Sequence, residues 1–154
     1  MKMKEEKYQL LLQQVEALAQ GEDDMVSLMA NVSAAIHQEM GFFWTGFYRV
    51  VGQELRLGPF QGPVACTRIG YGRGVCGTAW QRRATIVVPD VEQFPGHIAC
   101  SSLSRSEIVV PVSNDKGDIV AVLDIDSTEL NTFDDTDAQC LERICKVFEG
   151  VWKH

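Results

Sequence analysis

The strongest constraint on the fold is a change in the spacing of apolar residues at Gly41. Before Gly41, apolar residues recur every three or four positions in two runs, which is typical of amphipathic helices. Gly21 ends the first run, and Gly41 follows the second as a C-terminal cap. After Gly41 the chain is rich in aromatic and β-branched residues, which favour strands. We therefore expect two helices followed by a sheet.

The rest of the chain divides into short strands and a final helix. The predicted strands are residues 42–51, 54–60, 85–88, 107–112 and 118–125. The last two flank a segment with the composition of a hairpin turn. An apolar face from Leu141 to Val151, capped by Asp134 or Asp135, predicts a closing helix. A mostly antiparallel sheet with helices at both ends predicts an α+β fold, and no linker or repeat divides residues 1–154, so we expect a single domain.

Charge and composition exclude several classes of partner. The 154 residues carry a net charge of −7, which gives no basic excess to neutralise the phosphates of a nucleic acid. The N-terminal sequence MKMKEEKYQL has no apolar core of a signal peptide, and no uncharged run is long enough to span a bilayer. We therefore expect a cytoplasmic protein without a membrane partner.

The five cysteines form two groups. Their odd number and the lack of an export signal argue against a structural disulfide framework. Cys140 and Cys145 lie on the predicted last helix, where small packing residues are expected. The other three lie in two long irregular stretches, residues 61–77 and 89–105, and such stretches are often functional in compact domains: Cys66, Cys76 and Cys100.

The chemistry of these three thiols stays open at this point. Cys76 comes just before a predicted short helix, residues 78–83. Backbone N–H groups at a helix start lower a thiol pKa, and Arg73 is a further cation nearby in the sequence. A zinc site would add His97 to the three sulfurs, but it would lack the close cysteine pair that zinc sites usually have. Redox chemistry is favoured over metal binding and over inert thiols.

The glycines before this helix imitate a dinucleotide fingerprint. Gly72, Gly74 and Gly77 match its spacing. No apolar strand precedes them, and the predicted helix is too short for a βαβ crossover. We interpret them as a tight turn that brings backbone close to a ligand.

Three carboxylates are the next candidates. Glu107 opens one predicted strand, and Asp124 and Asp126 alternate on another, so the two aspartates share a face. Burial of such a pair requires a cation or a donor, which indicates a pocket for an ammonium group; a solvated sheet edge is the alternative. Trp44 and Tyr48 could supply an aromatic wall or belong to the core.

Taken together, several segments resemble the free methionine-R-sulfoxide reductases, a branch of the GAF-domain superfamily. The segments are LGPFQGPVAC, GRGVCGTAW, FPGHIAC, SEIVVP and VLDIDS, and the three loop cysteines match in identity and spacing. The resemblance implies a single GAF domain with a six-stranded antiparallel sheet flanked by helices. It also implies a homodimer and a closed cavity for the free amino acid. It implies no metal or organic cofactor, since redox-active cysteines and external thioredoxin supply the electrons.

The resemblance also implies roles for the cysteines. Cys100 is expected to be the nucleophile, with Cys76 as its disulfide partner and Cys66 as the alternative partner. The residues alone leave the order open, because the helix start favours a low pKa at Cys76.

Further roles follow from the same resemblance. Glu107 would act as the acid or would orient the sulfoxide oxygen. Asp124 and Asp126 would face the substrate ammonium group, and Trp44 would face its ε-methyl group. Ser101 stands where the family usually has an aspartate, which puts the rate in doubt more than the reaction. No arginine is evident for the substrate carboxylate, so backbone N–H groups of residues 101–106 are expected to bind it. A non-enzymatic GAF sensor of small molecules or redox state is the main rival function.

Overall fold

A six-stranded antiparallel sheet forms the centre of the computed structural model, which describes residues 2–98 and 100–152. Within these residues, the strands are β1 Trp44–Val51, β2 Glu54–Gln61, β3 Arg68–Gly70, β4 Ile86–Val88, β5 Ser106–Ser113 and β6 Ile119–Ser127. The α-helices are α1 Lys4–Ala19, α2 Met25–Met40, α3 Gly74–Arg82 and α4 Asp135–Cys145. The strand order is β3-β2-β1-β6-β5-β4. The α+β class and the six-stranded sheet are therefore confirmed.

The helix boundaries agree with the capping signals. Gly41 ends α2 at a φ of 72°, the left-handed conformation that glycine adopts without a steric penalty. Asp134 caps α4 by accepting hydrogen bonds from two backbone N–H groups in a capping box with Asp137. The predicted start of α3 was wrong, because the helix begins at Gly74 and includes Cys76 in its first turn.

One strand was missed. β3 has only three residues and lies inside a stretch that we predicted to be irregular. Three residues are too few to show alternation, so the pattern carries no strand signal there. The strand pairs with β2 at the edge of the sheet.

The two faces of the sheet have different coverings. Ile108, Val110 and Val112 of β5 join the large core formed with α1, α2 and α4. Val109, between them, points to the opposite face, because successive side chains of a strand alternate. That second face is covered by α3 and the long loops. Among the described residues, no helix has the length and apolarity needed to cross a membrane.

Candidate active site

A cavity lies between the second face of the sheet and the loops that cover it. It holds about 560 Å³ of space, solvent at its mouth included. Seven of the eight predicted site residues line it: Trp44, Tyr48, Cys76, Cys100, Glu107, Asp124 and Asp126. The eighth, Cys66, is bonded to Cys100 at the mouth. The sequence interpretation thus named residues that the fold brings together.

The three carboxyl groups meet because of the strand register. Glu107 on β5 pairs directly with Asp126 on β6, and Asp124 lies two residues further along the same face. β6 is an interior strand between β1 and β5, so these carboxyls do not lie at a solvated sheet edge. Glu107 is 5% exposed and Asp124 is 6% exposed. The buried-pocket interpretation therefore replaces the alternative of solvated carboxylates.

Burial makes these three carboxyl groups weaker acids than usual, because it raises their pKa values. It raises the pKa of Glu107 from 4.5 to about 8, and the charge of Asp126 adds to the effect. The pKa of Asp124 lies well above its usual range because of burial and, next, because of Glu107. Burial and, next, the charge of Asp124 also raise the pKa of Asp126 well above its usual range. The site therefore holds protons at neutral pH and can donate one.

Asp124 also carries an unsatisfied oxygen. Its Oδ1 atom is buried and has no hydrogen-bond partner among the described residues. Such atoms are rare in folded proteins, because a buried polar group without a partner costs free energy. A cationic donor in the cavity would satisfy this oxygen.

The aromatic wall is held in place by both stacking and hydrogen bonds. The Trp44 ring stacks on Tyr48 and on Phe60, with ring centroids 6.0 and 5.2 Å apart. Trp44 Nε1 donates to the Pro63 carbonyl at 3.0 Å, and the Tyr48 hydroxyl donates to the Cys66 carbonyl at 2.9 Å. These bonds connect the wall to the loop that carries Cys66.

The structure corrects the expected disulfide pairing. Cys100 is bonded to Cys66, with their Cα atoms 5.4 Å apart, and Cys76 is a free thiol. Cys100 is exposed and Cys66 is half-buried, whereas Cys76 is buried in the first turn of α3. The disulfide also rules out the four-ligand zinc set in this state, since two of its sulfurs are bonded to each other.

Cys76 does not have the reactive character that its helix position suggested. Burial raises the pKa of its thiol well above the usual value, and Asp124 raises it further. Desolvation and the nearby carboxyls outweigh the helix start. The sulfur of Cys76 and oxygens of Glu107 and Asp124 all lie within 4.8 Å of one another.

One functional residue was underestimated from the sequence. His97 lines the cavity, and its Nε2 atom lies 3.6 Å from Oε1 of Glu107. Burial lowers the pKa of this imidazole. Its place three residues before Cys100 is the available signal in the sequence, which on spacing alone suggests only a zinc ligand.

The remaining sequence features have structural roles. Gly72 and Gly74 have φ values of 73° and 59°, and Gly77 packs against the backbone of Gly70, which confirms the tight turn. On α4, Cys145 belongs to the large core and the half-buried Cys140 packs against it. Ser101 lines the cavity, and its hydroxyl accepts a hydrogen bond from the Leu103 N–H.

Comparisons with known proteins agree with this geometry. The family model described as "GAF domain" matches residues 19–148. The chain is 56% identical over 148 residues to GAF domain-containing protein A of Dictyostelium discoideum, covering 96% of this chain and 93% of that protein. It is 44% identical to the free methionine-R-sulfoxide reductase of Escherichia coli, covering 96% and 90% of the two chains.

A solved structure extends the likeness. The crystal structure of free methionine-R-sulfoxide reductase from Neisseria meningitidis, in complex with its substrate, superposes with a TM-score of 0.95 at 49% identity. The match covers 99% of this chain and 92% of the other. The similarity therefore extends over the cavity and the loops that carry the cysteines.

Proposed function

This chain belongs to the GAF-domain family, in the branch that contains free methionine-R-sulfoxide reductases, and from that membership we propose that it reduces free L-methionine-(R)-sulfoxide to L-methionine. The observation that carries the proposal is that one cavity is lined by Cys100, which is bonded to Cys66, and by a buried acid, Glu107. Sulfoxide reduction requires a thiol to accept the oxygen and a proton donor for that oxygen.

The cavity favours a free amino acid over a methionine residue within a polypeptide. Asp124 offers an unpartnered carboxyl oxygen for the substrate ammonium group, with Asp126 beside it. A methionine residue within a chain has an amide in place of that ammonium group. Trp44 offers an apolar face for the ε-methyl group. We assign the substrate carboxylate to backbone N–H groups of residues 101–106, the segment in which Ser101 and Ser104 line the cavity.

In the proposed reaction, the Cys100 thiolate attacks the sulfoxide sulfur while Glu107 donates its proton to the sulfoxide oxygen. This attack forms a transient bond between the Cys100 sulfur and the methionine sulfur. The hydroxyl then moves from the methionine sulfur to the Cys100 sulfur, so the sulfur–oxygen bond breaks, the transient sulfur–sulfur bond breaks with its electron pair going to methionine, and Cys100 is left as a sulfenic acid. The methionine sulfur is reduced by two electrons and the Cys100 sulfur is oxidised by two. The protonated state of Glu107 at neutral pH suits this role.

The next step regenerates the thiols. The Cys66 thiol displaces water from the sulfenic acid and forms the Cys66–Cys100 disulfide. A thioredoxin-like dithiol then reduces this disulfide by exchange, which the exposure of Cys100 permits. No resident metal or organic cofactor takes part in this sequence. On the family resemblance, we also propose a cytoplasmic homodimer.

The test is NADPH oxidation coupled through thioredoxin and thioredoxin reductase. We expect turnover with free L-methionine-R-sulfoxide and none with the S epimer or with peptide-bound methionine sulfoxide. Binding of the free amino acid without turnover would overturn the proposal and favour the non-enzymatic sensor instead.

A further inference from the structure

The proposed cycle leaves one thiol of the cavity without a role. Cys76 remains free when Cys66 and Cys100 are bonded to each other. Its sulfur lies on the inner wall, and oxygens of Glu107 and Asp124 complete a set of three donor atoms within 4.8 Å of one another. Thiolate and carboxylate groups in such proximity are the ligands that transition-metal ions bind.

We propose that Cys76, Glu107 and Asp124 bind a divalent transition-metal ion of the zinc type, and that this ion inhibits the protein by occupying the substrate cavity. The inhibitory part rests on the proposed function, whereas the metal site does not. The ion is an inhibitor in this account, not a cofactor.

The distances suit such an ion after small movements of the side chains. Zinc binds sulfur at about 2.3 Å and oxygen or nitrogen at about 2.0–2.2 Å, so the ligand atoms of a tetrahedral site are roughly 3.3–3.8 Å apart. His97 Nε2 is already 3.6 Å from Glu107 Oε1, which makes it the candidate fourth ligand. The atoms of Cys76, Glu107 and Asp124, which lie within 4.8 Å of one another, would have to approach by at most about 1–1.5 Å to reach this range.

Two further observations point to a cation. Asp124 Oδ1 is buried at the cavity wall without a hydrogen-bond partner among residues 2–98 and 100–152. The donor set also mixes sulfur, oxygen and imidazole nitrogen, which selects zinc-type ions over magnesium or calcium, since those two prefer oxygen ligands.

Occupation of this site has a defined consequence for the proposed reaction. The ion would engage Glu107, the proton donor, and Asp124, the ammonium ligand, at the same time. Inhibition should therefore be competitive with the sulfoxide and should be reversed by a chelator.

The metal site can be tested without activity by titrating the oxidised protein with Co²⁺. In that form Cys66 and Cys100 cannot bind the ion as thiolates, so thiolate-to-cobalt charge-transfer absorption reports on the remaining thiols. We expect a single Co²⁺ per chain with this absorption in the wild type and in Cys145→Ser. Cys145 is the matched control because it is also buried and free but lies in the core of the other sheet face.

We expect Cys76→Ser to lose the charge-transfer absorption, and Asp124→Asn to weaken Co²⁺ binding by at least about tenfold. Far-UV circular dichroism would check that each variant is folded. If Cys76→Ser does not fold, the loss of Co²⁺ affinity in Asp124→Asn becomes the test of the metal site. Charge-transfer absorption that persists in Cys76→Ser, or its absence in the wild type, would overturn the proposal.

A second measurement separates this inference from the proposed function. In the coupled assay, Zn²⁺ should raise the KM for the sulfoxide without changing kcat, and EDTA should restore the original value. A protein that binds Co²⁺ through Cys76 but reduces no sulfoxide would retain the site and refute the function. A protein that reduces the sulfoxide but shows no Co²⁺–thiolate absorption would support the function and refute the metal site.

Discussion

Glu107 and Asp126 face each other directly across two antiparallel strands, β5 and β6. Asp124 lies two residues along β6 on the same face, so the alternation of the strand brings a third carboxyl group to the pair. Glu107 and Asp124 are buried, Asp126 is half-buried, and each of the three has a pKa above its ordinary value. The register of these two strands therefore produces the acid that the proposed reaction needs.

The first prediction concerns the pH dependence of activity. Since Glu107 donates a proton and has a pKa of about 8, kcat/KM should fall as the pH rises above about 8. Glu107→Gln cannot donate the proton and should lower kcat/KM by roughly 10²–10⁴-fold. Initial rates between pH 6 and pH 10 would check this. A Glu107→Gln variant with wild-type rates would refute the role of the acid.

The second prediction concerns stability. Because the folded state raises the pKa of Glu107 from 4.5 to about 8, the folded protein binds more protons than the unfolded chain between these pH values. The free energy of unfolding should therefore decrease as the pH rises through this range. Urea denaturation at several pH values should show this slope, and Glu107→Gln should reduce it. Asp115→Asn, which removes an exposed carboxyl in the hairpin turn, is the control.

The third prediction concerns the ammonium group. Asp124→Asn should raise the KM for free methionine-R-sulfoxide by roughly 10–100-fold, since a hydrogen bond to a charged group contributes about 1.5–3 kcal/mol. N-acetylmethionine sulfoxide lacks the ammonium group, so the substitution should not weaken its binding further. Equal losses for both compounds would show that Asp124 acts on something other than the ammonium group.

The sequence was sufficient for the fold class, for most of the elements and for the residues of the cavity. Apolar periodicity and capping residues mark α2 and α4, and the alternation of a strand places Asp124 and Asp126 on one face. It could not predict the disulfide pairing, because that depends on where two loops meet in space. It also misjudged Cys76, since the desolvation of its thiol arises from tertiary packing that the helix position does not reveal.

The fourth prediction concerns the glycine turn. A Cβ atom added at Gly77 would press against the Gly70 carbonyl and would lie 3.2 Å from the Gly72 nitrogen. Gly77→Ala should therefore lower the free energy of unfolding by about 1–3 kcal/mol, the usual cost of overpacking. Gly150→Ala is the control, since its Cβ would have no described atom within 4 Å. Equal stability of the two variants would contradict the close approach.

The central claim is that Cys100 attacks the substrate and that Cys66 resolves the product. Its most direct test is a single turnover of the reduced protein with free methionine-R-sulfoxide, followed by peptide mapping of the disulfide. We predict a Cys66–Cys100 disulfide in the wild type and in Cys76→Ser. Cys100→Ser should form no methionine. Cys66→Ser should form one methionine per chain and retain a sulfenic acid on Cys100 that can be trapped chemically. A Cys76–Cys100 disulfide in the wild type, or methionine formed by Cys100→Ser, would contradict the account.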